Sequence, residues 1–492
     1  MTRFDWLGCT PSDRSIIRLL LICTLPQLSI CHEGKYAIVT RLNHKTRSSE
    51  LRQAPHIGSD LLGTHRGMTM KSPSPMQRRQ FLLAGAAVAV AGAFGGVPAV
   101  RAGTEGPLTA WFGPGGAKAG QGLVWKHGLN LALTGAGAPY GEVMSRGASI
   151  AADMVKASGG PEIVLKLNDH NNGDVQASLE GTRRLIEQEN IQSLGVSYGA
   201  ATQALFPLIA SSGVTTFWSG GANPAGLGQK DLWTTMALYA VDPSTGGLAF
   251  IAKKYPNAKR LAILGMVENG LAAVDEVAPK VWPAVSGGKV AMKEIVPIGT
   301  TDFGPIIAKL KAVNVDAIFS TLFANDMGYM IKQVRGANIN VPILSVDLAT
   351  PSVPDIAGEA IAKECYLAVD GYFPDNPNPY NKAFVEAYKA AHGVDPDYFA
   401  ANFFEATNVV WALIARTLKA GKLPGRGNLS EAIKADPSFP SVYGGSATQV
   451  GKMTFDKDHS VIKPLGVYQV GLAGKLTKVA TIRKGSTEVA SA

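Results

Sequence analysis

Two successive runs of alternating strand and helix patterns constrain this chain more than any other feature of its sequence. In the first run, 129–134 reads as a strand and 142–157 as a helix whose apolar stripe holds Val143, Ile150, Ala151 and Met154. Strands at 163–167, 194–196 and 214–218 then alternate with helices at 175–189 and 202–211. The rhythm restarts after Asp242-Pro243, with strands at 261–265, 290–296, 317–320 and 343–346 and helices at 270–281, 303–313 and 326–336. A parallel neighbour needs a crossover long enough to hold a helix, so strict alternation of this kind predicts parallel sheets covered by helices. Two runs predict two α/β lobes. Long helical patterns at 380–391 and 399–419 follow, then short strands between Val442 and Ile482, with no repeat beyond that of the architecture.

The segment upstream of the first lobe carries an address. Arg78 and Arg79 precede an uncharged run over 81–100, which ends in Val100-Arg101-Ala102, small residues suited to signal-peptidase cleavage before Gly103. This resembles a twin-arginine export signal over 76–102 and implies a periplasmic mature protein. Twenty uncharged residues could also span a bilayer, but alanine and glycine dominate the run and Pro98 sits near its end, which disfavours a permanent anchor. Residues 1–75 show no sustained pattern. They read as a non-native or disordered extension, with Met68, Met70 and Met76 as candidate starts.

Removal of this presequence changes what charge and cysteine content imply. Residues 1–102 hold 13 of the 47 Lys+Arg and 5 of the 38 Asp+Glu, leaving 34 and 33 in the remainder. The net charge of +9 therefore falls to about +1, and a basic nucleic-acid footprint disappears. Of the four cysteines, only Cys365 remains, in an apolar run that suits a buried thiol. One cysteine excludes an internal disulfide and any Cys-rich zinc or iron–sulfur site, and neither a metal nor a cofactor is expected.

Ligands of open α/β sheets bind beyond the carboxyl ends of the strands, so the strand-to-helix turns deserve separate reading. Gly135-Ala136-Gly137-Ala138-Pro139-Tyr140-Gly141 suggests a dinucleotide loop, but its third glycine is one residue late and Pro139 occupies the turn. The stretch 169–174 suggests a calcium loop, but its glycine comes one position early, so a polar turn is the plainer account. Gly195-Val196-Ser197-Tyr198-Gly199 satisfies G-x-S-x-G between strand and helix, the setting of a serine nucleophile. Asp347 or Asp395, then His459, would be its partners. Only two strand–helix units precede Ser197 and no HGGG-like oxyanion loop lies upstream, so a periplasmic serine hydrolase using Ser197 is the alternative and not the principal reading.

Taken together, Tyr140-Gly141, Gly199-Ala200-Ala201-Thr202-Gln203 and Ser219-Gly220-Gly221-Ala222-Asn223-Pro224, each after a strand, resemble the substrate-binding proteins of branched-chain amino acid ABC transporters. Asp169 with Asp174, Leu185-Ile186, Asp302-Phe303, Asp316-Ala317-Ile318 and the closing Gly451-Lys452-Met453-Thr454-Phe455-Asp456 extend the resemblance over most of 129–482. It implies a type I periplasmic binding protein fold of two parallel-sheet Rossmann-like lobes. Lobe 1 would comprise 104–238 and 371–453, lobe 2 would comprise 239–370 and 454–482, and 483–492 would form a tail. Three hinge crossovers are expected near 237–240, 369–372 and 454–459.

The same resemblance implies the site. The first lobe would hold ligand through Gly199, Ala200 and Thr202 in one turn and Gly220, Ala222 and Asn223 in the next, with Tyr140 as a wall. Serine and threonine commonly stand where this chain has Ala200 and Ala222, so the side-chain clamp on an α-carboxylate is reduced. The second lobe would supply Phe323 as an aromatic, Asp347 to meet an amine, and Asn269 where an aromatic is often found. Trp218 and Tyr198 are further aromatics near these turns. The expected protein is a non-enzymatic, monomeric receptor that encloses a small polar organic ligand, an amino acid, amide or aromatic or organic acid. It would deliver that ligand to ABC permease membrane subunits, or else signal through a sensor partner.

Overall fold

A computed structural model describes residues 116–267, 269–348 and 352–491. The arginine pair at Arg78 and Arg79, the apolar run after it and the upstream extension lie outside the described residues. Five strands form the first sheet: β1 (Val124–Leu131), β2 (Glu162–Asp169), β3 (Ser193–Ser197), β4 (Thr215–Gly220) and β5 (Leu232–Thr234). All pair in parallel in the order β2-β1-β3-β4-β5. Helices α1 (Ala138–Ala157), α2 (Val175–Glu187), α3 (Gly199–Gln203) and α4 (Phe206–Ser212) connect them.

The second sheet repeats that winding. Strands β6 (Arg260–Gly265), β7 (Lys289–Ile295), β8 (Ala317–Ser320), β9 (Ile343–Ser345) and β10 (Cys365–Asp370) run parallel in the order β7-β6-β8-β9-β10. Their helices are α5 (Val241–Lys254), α6 (Ala278–Ser286), α7 (Gly304–Ala312), α8 (Ala324–Gly336) and α9 (Ser352–Ala357). In both sheets the strand order reverses beside the first strand, and open α/β sheets bind ligands in the crevice at that reversal.

After β10 the chain returns to the first lobe as α10 (Pro379–His392), α11 (Tyr398–Lys419) and α12 (Leu429–Ala435). Helix α11 is capped by Asp397, whose carboxylate accepts from the Ala400 amide at 2.8 Å, and is buried along almost its whole length. It can lie against α1 because residue 147 is glycine: a Cβ there would stand 2.1 Å from the Ala400 carbonyl oxygen. A small antiparallel sheet of β11 (Ser438–Ser446), β12 (Gln449–Phe455) and β13 (Val461–Ile462) follows. Strands β14 (Leu465–Val470), β15 (Leu476–Ile482) and β16 (Val489–Ser491) then extend the second sheet antiparallel beyond β10.

The strands depart from the sequence reading at three places. Because β13 still pairs with β12, the last passage between sheets comes at 463–464 and not within 454–459. Residues 489–491, expected in a tail, pair with β15 as an edge strand. The first strand begins at Val124 although Lys126, His127 and Gly128 break its apolar pattern. His127 is fully buried there, held through Nδ1 to Ser193 Oγ at 2.8 Å, with burial lowering its pKa to about 4.

The passages between lobes converge on a buried charged cluster. Lys463 lies 3.2 Å from the Glu405 carboxylate and 3.8 Å from that of Asp370, bonds Asn402 Oδ1, and sits 3.9 Å from the centre of the Tyr443 ring. Asp370 closes β10, Glu405 and Asn402 belong to α11, and Lys463 lies in the final passage. Burial raises the pKa values of both carboxylates, opposed by the lysine charge.

A cleft between two lobes as the candidate binding site

The carboxyl ends of both parallel sheets face one cavity of about 420 Å³. From the first lobe, the turn after β1 delivers Tyr140 in the opening turn of α1. Its ring stacks on Phe323 of the second lobe with centroids 5.2 Å apart and meets Phe399 edge-on at 5.3 Å. Its hydroxyl donates to the Asp347 carboxylate at 3.3 Å. One side chain of the first lobe therefore bridges to two of the second, and the lobes are closed on each other.

The turn after β3 is built around Tyr198, which adopts φ +67 and so turns the chain sharply into α3. Its hydroxyl donates to Asn172 Oδ1 at 3.2 Å, and its ring meets His170 and Phe323 edge-on. Burial, then the negative charge of Asp347, raises the pKa of this phenol. Gly199, Ala200 and Gln203 follow at the cavity wall, and the turn after β4 contributes Gly220, Gly221 and Asn223. Gly221 has φ +69, a conformation few other residues adopt without strain.

The second lobe contributes Asn269 after β6, Phe323 after β8 and Asp347 after β9. Asn269 Nδ2 donates to the Thr321 carbonyl at 2.8 Å, which ties the first of these turns to the next. Asp347 is 1% exposed, and its amide donates to Ser345 Oγ at 3.0 Å. Beside it, Tyr239 donates its hydroxyl to the Val346 carbonyl at 3.3 Å, with a pKa raised first by burial and then by the Asp347 charge.

Eight of the ten residues singled out from sequence line this cavity: Tyr140, Gly199, Ala200, Gly220, Asn223, Asn269, Phe323 and Asp347. Thr202 and Ala222 do not. The Thr202 hydroxyl donates to the Ser197 carbonyl at 3.0 Å inside the turn, and Ala222 packs in the core behind it while its carbonyl accepts from the Tyr239 amide. Trp218 is likewise core, its indole N–H donating to the Gly220 carbonyl. Sequence reasoning missed Tyr239, Phe399, Gln203 and Glu276. Tyr239 lies in a crossover without periodicity, Phe399 reads as helix core, and Glu276 stands in a single π-helical turn, Ala273–Val277, a feature often found at functional sites.

Ser197 sits outside the cavity lining, fully buried at the end of β3. His170 Nδ1 accepts the Gly173 amide at 2.9 Å, so the neutral ring carries its proton on Nε2 and donates it to Ser197 Oγ at 3.1 Å. Ser197 in turn donates to the Asn130 carbonyl at 3.4 Å. A base activating serine must accept its proton, which is the reverse arrangement. Burial also lowers the His170 pKa to about 4. The other suggested partners are engaged elsewhere: His459 stacks on Trp233 at 3.9 Å, and Asp395 pairs with Lys389 at 3.0 Å. In the stretch 169–174, Asp169 accepts from the Leu133 and Asn171 amides and Asp174 caps α2, so these carboxylates organise turns.

Two parallel-sheet lobes that close on an aromatic and acidic cleft at their strand termini define a solute-binding protein of the type I periplasmic architecture. Sequence comparison agrees: the family described as "Periplasmic binding protein" matches residues 125–475, and the chain belongs to it. A "Leu/Ile/Val-binding protein homolog 1" of Brucella suis is 25% identical over 323 residues, covering 64% of this chain and 84% of the relative. Among solved structures, a branched-chain amino acid transporter substrate-binding protein from Streptococcus pneumoniae in complex with isoleucine superposes with a TM-score of 0.60 at 21% identity. That match covers 75% of this chain and all of the other. A solute-binding protein of an ABC transporter from R. palustris in complex with benzoate gives 0.61 at 19% identity, over 74% and 98% of the two chains.

Proposed function

We propose that this chain is a periplasmic receptor of an ABC importer, a non-enzymatic monomer that encloses a small organic solute between its lobes and presents it to membrane permease subunits. The observation that carries this reading is the bridge of Tyr140 to Asp347 and Phe323, which joins the lobes at the cavity wall. A ligand touching both walls stabilises the closed state by its differential affinity for it, and closure supplies the shape a permease reads. Family membership and the similarity to importer receptors support the same conclusion. Native mass spectrometry of protein purified without refolding tests it. A retained small molecule of fixed mass is expected, and protein without ligand that no metabolite extract stabilises would count against the proposal.

Ser197→Ala separates receptor from hydrolase. The substitution removes only a buried hydroxyl bonded to His170 and to the Asn130 carbonyl, outside the cavity lining, so ligand affinity read from thermal stabilisation is expected to stay within a few-fold of the parent. Ester hydrolysis by the parent that disappears in this variant would overturn the receptor reading.

The export route belongs to the proposal as well. Lysine carries the charge of arginine but not its planar fork of donors, so replacing both Arg78 and Arg79 by lysine is expected to strand the precursor in the cytoplasm. Immunoblots of cell fractions measure this. Unchanged periplasmic yield would reject the twin-arginine route while leaving the binding function intact.

A further inference from the structure

The cavity's charge is one-sided. Among the described residues, its lining carries two carboxylates, Asp347 and Glu276, and no lysine, arginine or histidine. Asp347 lies deep in the cleft, whereas Glu276 projects from the π-helical turn and forms no ion pair among the described residues. Aromatic rings make up much of the remaining wall, with Tyr140, Tyr198, Tyr239, Phe323 and Phe399 all lining it. Aromatic faces and carboxylates both favour an organic cation, the faces through their quadrupole and the acids through their charge.

What would hold an anionic group is correspondingly thin. Among the described residues, neither serine nor threonine lines the cavity. The hydroxyls nearest the first-lobe turns are spent within the scaffold: Thr202 on the Ser197 carbonyl, Ser197 on the Asn130 carbonyl, and Ser219 with Thr235 at 2.6 Å. Asn223 uses its Oδ1 to accept the Ala225 amide, so its side chain serves the turn too. A ligand carboxylate would meet turn amides and neutral side-chain donors such as Gln203, with no cation among the described lining residues, beside two carboxylates in a cleft that partly excludes water.

On the reading of this chain as a solute receptor, we propose that the cleft selects a small organic cation, an apolar or aromatic amine or amino amide without a free carboxylate, with Glu276 as a specificity-determining residue. Asp347 and the aromatic walls hold the ammonium, and Glu276 discriminates against the parent acid by repelling its carboxylate. The site is the cavity between the lobes; Asp347 contributes affinity for the ammonium and Glu276 sets selectivity against the acid.

Matched sets of ligands test this by calorimetric titration of protein purified from the periplasm: leucine, leucinamide and 3-methylbutylamine beside 4-methylpentanoate, and phenylalanine, phenylalaninamide and phenethylamine beside benzoate. Within a set, the amide or amine is expected to bind at least about tenfold tighter than the amino acid, and the simple acids not to bind. Glu276→Gln is expected to narrow that ratio several-fold and to strengthen binding of the amino acid, an effect that shrinks as salt is added. A solvent-facing residue in a surface turn can be changed in this way without loss of the fold. Tighter binding of leucine, phenylalanine or benzoate than of their amine counterparts overturns the inference and leaves the receptor intact. A ratio unchanged by Glu276→Gln removes Glu276 from the argument and overturns its assigned role. No binding across all sets, by protein that also carries no retained ligand, overturns the inference together with the receptor reading.

Discussion

Lys463→Met is expected to destabilise the folded protein by about 3–5 kcal/mol, read as a fall in the midpoint of urea unfolding. The lysine side chain is fully buried beside two carboxylates that are themselves 0–1% exposed, so its removal strands Asp370 and Glu405 in a medium that cannot solvate them. Neutralising all three groups at once, as Lys463→Met with Asp370→Asn and Glu405→Gln, is expected to recover most of that loss, because a buried ion pair contributes little beyond its own desolvation cost. A single-variant loss below about 1 kcal/mol would show that water reaches the cluster.

The pH dependence of the same variant gives an independent check. Both carboxylates have folded-state pKa values raised by burial, and Lys463 opposes that rise. Without the lysine they rise further, so the folded state of the variant binds protons that the unfolded chain releases above about pH 4. Where the folded state binds more protons, stability falls as pH increases. The deficit of Lys463→Met against the parent is therefore expected to be largest near neutrality and to shrink as pH falls toward the unfolded carboxylate range. Asp370 and Lys463 stand in two of the passages between lobes, so the charges tie those passages to each other and to α11.

The alternation of elements was legible because parallel strands are buried on both faces and read as apolar runs, as in 261–265 and 317–320, where element and pattern coincide. Polar residues buried in the core defeated the same logic: His127 concealed the start of β1, and the three residues of β5 were too few to register. Within the site, turns after strands could be located, but which of their side chains face the ligand depends on backbone geometry. Tyr198 at φ +67 aims its own ring at Phe323 while Thr202 bonds back into the turn. Residues reaching the cleft from a crossover or a helix start, such as Tyr239 and Phe399, carry no local signal of doing so. The buried cluster is equally silent, since Lys463 lies 61 and 58 residues from its partners Asn402 and Glu405.

Asp347→Asn is expected to reduce affinity for an amine-bearing ligand by roughly thirty- to a thousand-fold, or about 2–4 kcal/mol. The carboxylate is buried at the cavity wall, so an ammonium placed against it makes a charge-assisted hydrogen bond in a poorly solvated setting. Asparagine keeps the shape and leaves an oxygen able to accept from the Tyr140 hydroxyl, so the contact that closes the lobes is retained and the loss reports charge. For a neutral solute or a carboxylic acid the same change is expected to be near neutral or to improve binding, since it removes a negative charge from the cleft. Calorimetry of parent and variant against one amine series and one acid series separates these outcomes. Equal losses for amines and acids would mean that Asp347 acts by holding the lobes together. Unchanged amine affinity would place the ligand's nitrogen against another wall, and Glu276, the other carboxylate among the described lining residues, would then be the group to neutralise.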